Sequence, residues 1–105
     1  MIQFEDFKKI DIRIGKITSV QTLKDSNKLL KLEVNFGSES RQILAGLAKF
    51  YTPDDLVGKL CPFVFNLEAK KMGTHESQGM ILCADDNGPV LLTPDKEISP
   101  GSLVK

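Results

Sequence analysis

The stretch Leu30-Lys31-Leu32-Glu33-Val34-Asn35-Phe36-Gly37 decides the fold class. Its apolar residues alternate strictly with polar ones and stop at a glycine, the period-2 pattern of a strand with one buried face. The runs on either side behave the same way. Upstream, Ile10, Ile12 and Ile14 alternate with Asp11 and Arg13, and the apolar phase then slips to Ile17. A bulge at Gly15 or Lys16 accounts for the slip and bends the strand as a small barrel requires. Phe4 and Phe7, three apart, predict one helical turn whose aromatic side closes a core. Residues 21–28 are polar and contain the turn cluster Asp25-Ser26-Asn27.

Downstream, residues 41–46 predict a third short strand with Ile43 and Ala45 on one face. Thr52-Pro53-Asp54-Asp55-Leu56-Val57-Gly58 carries a capping Thr, Pro at the first helical position, acids at the positive end and a terminating Gly, and so predicts a short helix. Residues 60–67 read as a fourth strand, with Pro62 implying an edge or bulged position. Residues 78–84 read as a fifth. Asp85-Asp86-Asn87-Gly88 is a turn, and residues 89–93 return as the second arm of a hairpin. The expectation is an all-β fold: a five-stranded barrel in OB-fold order, one short helix between strands 3 and 4, and a C-terminal hairpin or extension.

At 105 residues the chain fits a single domain, 1–105, which buries roughly two thirds of its unfolded surface without staples. The formal net charge is zero, which excludes a polybasic tail that binds any polyanion by bulk charge. The distribution is uneven, however. From Phe7 to Lys49 nine basic residues face Asp11, Asp25, Glu33 and Glu39; from Met72 to Lys105, Lys96 and Lys105 face Glu76, Asp85, Asp86, Asp95 and Glu97. The basic half supplies strands 2 and 3 and the loop before them, the face on which OB barrels bind nucleic acid or sugar. Cys61 and Cys83 lie in apolar runs and read as buried free thiols. No run reaches the length of a membrane span and the N-terminus lacks a signal pattern, so a cytoplasmic setting is expected.

Several segments together resemble a known family: residues 9–17 (Lys-Ile-Asp-Ile-Arg-Ile-Gly-Lys-Ile), residues 26–32 (Ser-Asn-Lys-Leu-Leu-Lys-Leu), Arg41-Gln42-Ile43, Ala45-Gly46, residues 66–72 (Asn-Leu-Glu-Ala-Lys-Lys-Met) and residues 76–84 (Glu-Ser-Gln-Gly-Met-Ile-Leu-Cys-Ala). They are similar, in the same order, to the tRNA-binding domain appended to methionyl-tRNA synthetase and found in stand-alone tRNA-binding proteins and eukaryotic synthetase cofactors. The resemblance implies binding of tRNA by shape at the outer corner of the L, without catalysis or a cofactor. It also implies a homodimer and, as a further partner, an aminoacyl-tRNA synthetase. A chain that begins with Met and lacks an ATP-binding domain resembles the stand-alone form; an excised synthetase domain given a Met would read the same.

The candidate RNA-binding residues are Asn27, Lys28, Lys31, Arg41, Asn66, Lys70, Lys71, Ser77 and Met80. Asn27, Lys28 and Lys31 would neutralise phosphates at the mouth of the first loop and on strand 2, positioning RNA without reading bases. Arg41 opens strand 3 next door. Lys70 and Lys71 are placed like a phosphate-binding pair, the alternative being an exposed pair without a partner. Asn66 either contacts RNA or pins its loop by backbone hydrogen bonds. Ser77 and Met80 belong by resemblance to the RNA surface, with core packing the alternative for Met80. Arg13 and Lys16 lie elsewhere on the barrel in one reading, and His75 reads as a solvent-exposed loop histidine.

Catalytic readings fail on spacing. His75-Glu76-Ser77-Gln78-Gly79 lacks the first glycine of a nucleophile elbow, Cys61, Cys83 and His75 lack zinc-ligand spacing, and no phosphate-cradling glycine loop exists. No metal is expected. Single-strand binding by stacking needs exposed aromatics, whereas the chain has no Trp, and most of its one Tyr and six Phe stand at core-like positions. The second class is a peptide- or protein-binding module like the export-related chaperone of the same superfamily, with the apolar residues 98–104 as an interface.

Overall fold

The alternating segment of residues 30–36 is a strand, and so are the runs on both sides of it. In the computed structural model, which describes residues 1–105, the elements are α1 (Phe4–Phe7), β1 (Ile12–Leu23), β2 (Ser26–Asn35), β3 (Ser40–Ala45), α2 (Pro53–Leu56), β4 (Leu60–Val64), β5 (Lys70–Met72), β6 (His75–Ser77), β7 (Met80–Ile81), β8 (Cys83–Asp85), β9 (Pro89–Leu91) and β10 (Leu103–Val104). The main sheet runs β3-β2-β1-β4-β7, entirely antiparallel. It closes at its ends: Gln78 N donates to Gln42 O at 2.8 Å, and Gln42 N donates to Gln78 Oε1 at 3.0 Å. This is the OB-type barrel with α2 between the third and fourth barrel strands, as the turn and capping signals predict.

The capping signals at α2 act as read. Thr52 N donates to Asp55 Oδ2 at 2.9 Å and Asp55 N donates to Thr52 Oγ1 at 3.3 Å. The hydrogen bonds from Thr52 hold the Asp55 carboxyl below its ordinary pKa. Leu56 at the end of the turn is fully buried and joins Ile17, Leu30, Leu32, Val34, Phe36, Ile43 and Phe63 in the core.

The expected bulge at Gly15 or Lys16 is not there. Gly15 and Lys16 pair in regular register with Cys61 and Leu60, and the change of phase has a different cause. Arg13, Gly15 and Ile17 face inward, while Ile14, on the outer face, is covered by the C-terminal segment: Ile14 N donates to Ser102 O and Gly101 N donates to Ile14 O. A strand covered on both faces loses its simple alternation. Gly15 is required because a Cβ there would collide with Val34 Cγ1 and sit 2.7 Å from Phe36 Cε1. The bulge lies at Thr18, skipped between the pairs Ile17–Val34 and Ser19–Glu33, and it returns Val20 to the inward face opposite Leu32.

Other expectations need adjustment. The turn after β1 is only Lys24-Asp25, because β1 runs to Leu23. The fourth strand stops at Val64, and the fifth breaks at Leu82, whose N–H donates to Pro62 O at 3.0 Å. Pro62 pairs with Ile14 of β1, and on its other side it accepts from Leu82 N but has no N–H to return, so the β4–β7 ladder ends at Phe63–Ile81. The hairpin β5–β6 falls where a loop was read, since arms of three mostly polar residues carry no periodic signal. The α1 turn forms, yet its aromatic side does not close the core: Phe4 is 71% and Phe7 37% exposed. The predicted hairpin β8–β9 is present, with Asn87 in the left-handed region at φ 55. No helix is long and apolar enough to cross a membrane.

Candidate nucleic-acid interface

Two hairpins meet at one end of the barrel. In the first, Leu23 pairs with Ser26 while Thr22 pairs with Leu30, so Asn27, Lys28 and Leu29 are left without partners on β1 and bulge outward. Ser26 Oγ accepts from Lys28 N at 3.2 Å and Leu29 N at 3.1 Å, and Ala48 N donates to Lys28 O at 3.1 Å, which holds the bulge while Asn27 and Lys28 stay exposed. The second hairpin, β5–β6, packs along β3, where Gln42 Nε2 donates to Glu76 O at 2.9 Å. Its tip reaches the first hairpin: His75 Nε2 lies 3.9 Å from Asp25 Oδ1.

This packing places the basic residues in sequence across neighbouring strands. Lys31 pairs with Leu44, Leu44 N donates to Ser77 Oγ, and Ser77 pairs with Lys70. Lys70 and Lys71 are exposed on β5, and Lys31 is half-buried on the outer face of β2. Lys24, Lys28, Lys31, Lys70 and Lys71 have no carboxylate within 4.0 Å; the chain's ion pairs involve Lys8, Lys9, Arg13, Arg41 and His75. The acids among them are Asp25, Glu33 and Glu76. No Phe, Tyr or Trp stands on β2, β3 or this hairpin, the exposed Phe residues being Phe4, Phe7 and Phe50.

Three candidates, Ser77, Arg41 and Asn66, are placed otherwise, or only partly, as read, while Met80 stays at the surface. Ser77 is 2% exposed, and its hydroxyl accepts from Leu44 N at 3.0 Å and donates to Gly79 O at 2.9 Å. It is a strut between the hairpin and β3 and offers no free group to a ligand, which corrects its assignment as an RNA contact. Arg41 turns inward at the far end of the barrel. Its guanidinium carbon lies 3.5 Å from the Phe65 ring centre, Nε donates to Glu39 at 2.9 Å and Nη1 to Phe65 O. Asn66 takes the pinning role: Oδ1 accepts from Asp11 N and Nδ2 donates to Lys9 O, both at 2.8 Å. Met80 is 46% exposed and remains available.

Arg13 approaches the same Phe65 ring at 4.0 Å while its fork binds both oxygens of Asp11 at 3.0 and 2.9 Å. Two guanidinium carbons this close to one ring centre must occupy opposite faces, so Phe65 is sandwiched. The hydrogen bonds that Arg13 donates to Asp11 hold the Arg13 proton more tightly than usual. Beyond this plug lies an open cavity of about 700 Å³ with Phe4, Phe7, Ile10, Leu103 and Val104 in its walls. Lys24 and His75 also stand at the meeting point of the two hairpins. Lys24 had a legible signal, its place beside the turn cluster; the position of His75 depends on a contact fifty residues away in the chain.

A family model described as "Putative tRNA binding domain" matches residues 12–103. The methionine–tRNA ligase of Methanosarcina acetivorans is 49% identical over 107 aligned positions, which cover 99% of this chain and 15% of the ligase. The chain thus spans about one seventh of the length of such relatives. A MetRS-related protein from Pyrococcus horikoshii superposes with a TM-score of 0.95 at 34% identity, covering 100% of this chain and 98% of that one. The chaperone CsaA of Bacillus anthracis superposes at 0.92 with 31% identity, covering 100% and 99%.

Proposed function

The chain belongs to the tRNA-binding domain family related to the appended domain of methionine–tRNA ligases, and from that premise we propose that it binds folded tRNA by shape and phosphate contacts, as a non-catalytic partner in the cytoplasm. The observation that carries this reading is the set of five lysines without carboxylate partners around the two meeting hairpins. Charges left free within the chain are available to phosphates, which position RNA without specifying bases. The lack of a ladder of Phe, Tyr or Trp on this face favours a folded RNA over a splayed single strand. Ser77 supports the site by fixing the hairpin to β3, while Arg41 and Asn66 brace the far end of the barrel and Met80 remains exposed.

The apolar cavity walls at the opposite end fit a second copy of this chain, which would cover the exposed Phe4 and Leu103 and form the homodimer. An aminoacyl-tRNA synthetase is the further partner that the family membership suggests. The likeness to CsaA favours one rival, a peptide-binding chaperone module.

Parallel gel shifts with folded tRNA, an unstructured peptide and single-stranded DNA separate the readings. Saturable binding to tRNA that weakens with salt is expected, and peptide binding without tRNA binding would overturn the proposal. Replacing Lys28 and Lys31 together by Glu leaves the fold intact and weakens tRNA binding. Replacing both by Ala lowers the log–log salt slope by about two, one for each lost phosphate contact.

A further inference from the structure

We infer that Gln42 and Gln78 are positioning residues for the RNA site: they fix the angle at which the β5–β6 hairpin stands on the barrel, and with it the place of Lys70 and Lys71 beside Lys31. The inference rests on the RNA-binding reading above. β3 is the last strand of the main sheet, and β6 runs along it without joining its ladder. Side chains fill the gap. On the outer edge of β3, Gln42 N donates to Gln78 Oε1 and Leu44 N to Ser77 Oγ, both at 3.0 Å, where a paired strand would offer backbone carbonyls. Gln42 Nε2 donates to Glu76 O at 2.9 Å, and the backbone bond from Gln78 N to Gln42 O at 2.8 Å completes the junction.

The anchors sit on three consecutive residues, and they do different things. Ser77, the one buried residue of the hairpin, is a point contact about which a short two-stranded arm can swing. The glutamine bonds hold Glu76 on one side of it and Gln78 on the other, and so remove that freedom. The lysines follow the angle of the arm directly, because Lys70 is the register partner of Ser77 and Lys71 of Glu76. A lysine swung out of reach of a phosphate displaces no counterion from the RNA. Glutamine suits the task, since its amide offers a donor and an acceptor in one group and adds no charge to a surface that meets phosphates.

Amide hydrogen exchange reads the junction without RNA. The acceptor of Gln42 N is a side chain of the arm, so this amide is expected to exchange faster in Gln78→Ala, while that of Ile43, the register partner of Leu32, keeps its rate; an unchanged Gln42 rate would overturn the anchoring. Fluorescence anisotropy with folded tRNA then reads the positioning. Gln42→Ala with Gln78→Ala is expected to bind about three- to tenfold more weakly than the wild type, with a log–log salt slope lower by about one to two, the share of Lys70 and Lys71. In a chain that already carries Lys70→Ala and Lys71→Ala, the same two substitutions are expected to change affinity less than about twofold. An equal loss in both backgrounds would refute the role, because the glutamines would then act otherwise than through these lysines. Gln78→Glu keeps the acceptor for Gln42 N, whereas Gln42→Glu loses the donor to Glu76 O at the same added charge, so Gln78→Glu is expected to bind more tightly of the two; equal or reversed affinities would overturn the assignment. Absence of tRNA binding by the wild type would refute the RNA reading, and the positioning role with it, while hydrogen exchange still reports the junction alone.

Discussion

Replacing Ser77 by Ala tests whether this residue is a strut or an RNA contact. The hydroxyl is buried at 2% exposure and satisfies two backbone groups, accepting from Leu44 N at 3.0 Å and donating to Gly79 O at 2.9 Å. Alanine removes both partners at once and admits no water in their place. A buried donor left without a partner costs about 1–3 kcal/mol, so a loss of about 2 kcal/mol is expected. For a domain of this size, at about 5 °C per kcal/mol, Tm falls by about 10 °C. Urea unfolding should show the same loss as a lower midpoint with an unchanged m-value, since the surface exposed on unfolding is the same. Below the new Tm the lysines remain unaltered, so the salt slope of tRNA binding should match the wild type even if affinity drops slightly through a looser hairpin. The reasoning would be refuted by an unaltered Tm together with a tenfold loss of tRNA affinity, because that combination requires the hydroxyl to touch RNA.

Gly15→Ala drives a methyl into Val34 and Phe36, and should cost about 1–3 kcal/mol by overpacking; a neutral result in thermal melts would mean that the two strands separate more easily than their packing implies. Burial, with Cys83 nearby, pushes the Cys61 thiol up to about 11. The folded state therefore holds this proton more tightly than the unfolded chain, so the contribution of Cys61 to stability is present at neutral pH and is lost as pH rises from the free-thiol range through about 11. A thiol reagent at pH 8 should leave Cys61 unmodified until urea unfolds the protein, and rapid labelling of Cys61 in the native state would contradict this. Leu103→Glu places a charge on the apolar surface beside Phe4 and Val104, and sedimentation should show it as an 11.6 kDa monomer while the wild type runs at twice that mass. A wild-type monomer would remove the dimer from the proposal.

Strand periodicity, helix capping and turn chemistry are local, and they are legible wherever one element meets one environment. Leu30 to Phe36, the Thr52–Asp55 cap and the Asn87-Gly88 turn were read correctly because each depends on neighbours within a few residues. Turn composition and strand phase likewise leave Asn27 and Lys28 exposed and Lys31 half-buried on the outer face of β2. Where two environments act on one segment, reading from residue types alone misplaced the cause: Ile14 is covered from outside and Ile17 from within, so a bulge was invoked two or three residues too early. Ser77, Arg41 and His75 look like surface polar residues in sequence. Their placement depends on partners 33, 24 and 50 positions away, Leu44, Phe65 and Asp25, which only chain folding brings close. Hydroxyl, guanidinium and imidazole groups serve equally well inside or outside, provided that their hydrogen bonds are met, so residue type does not say which way they turn; the closing of the barrel does.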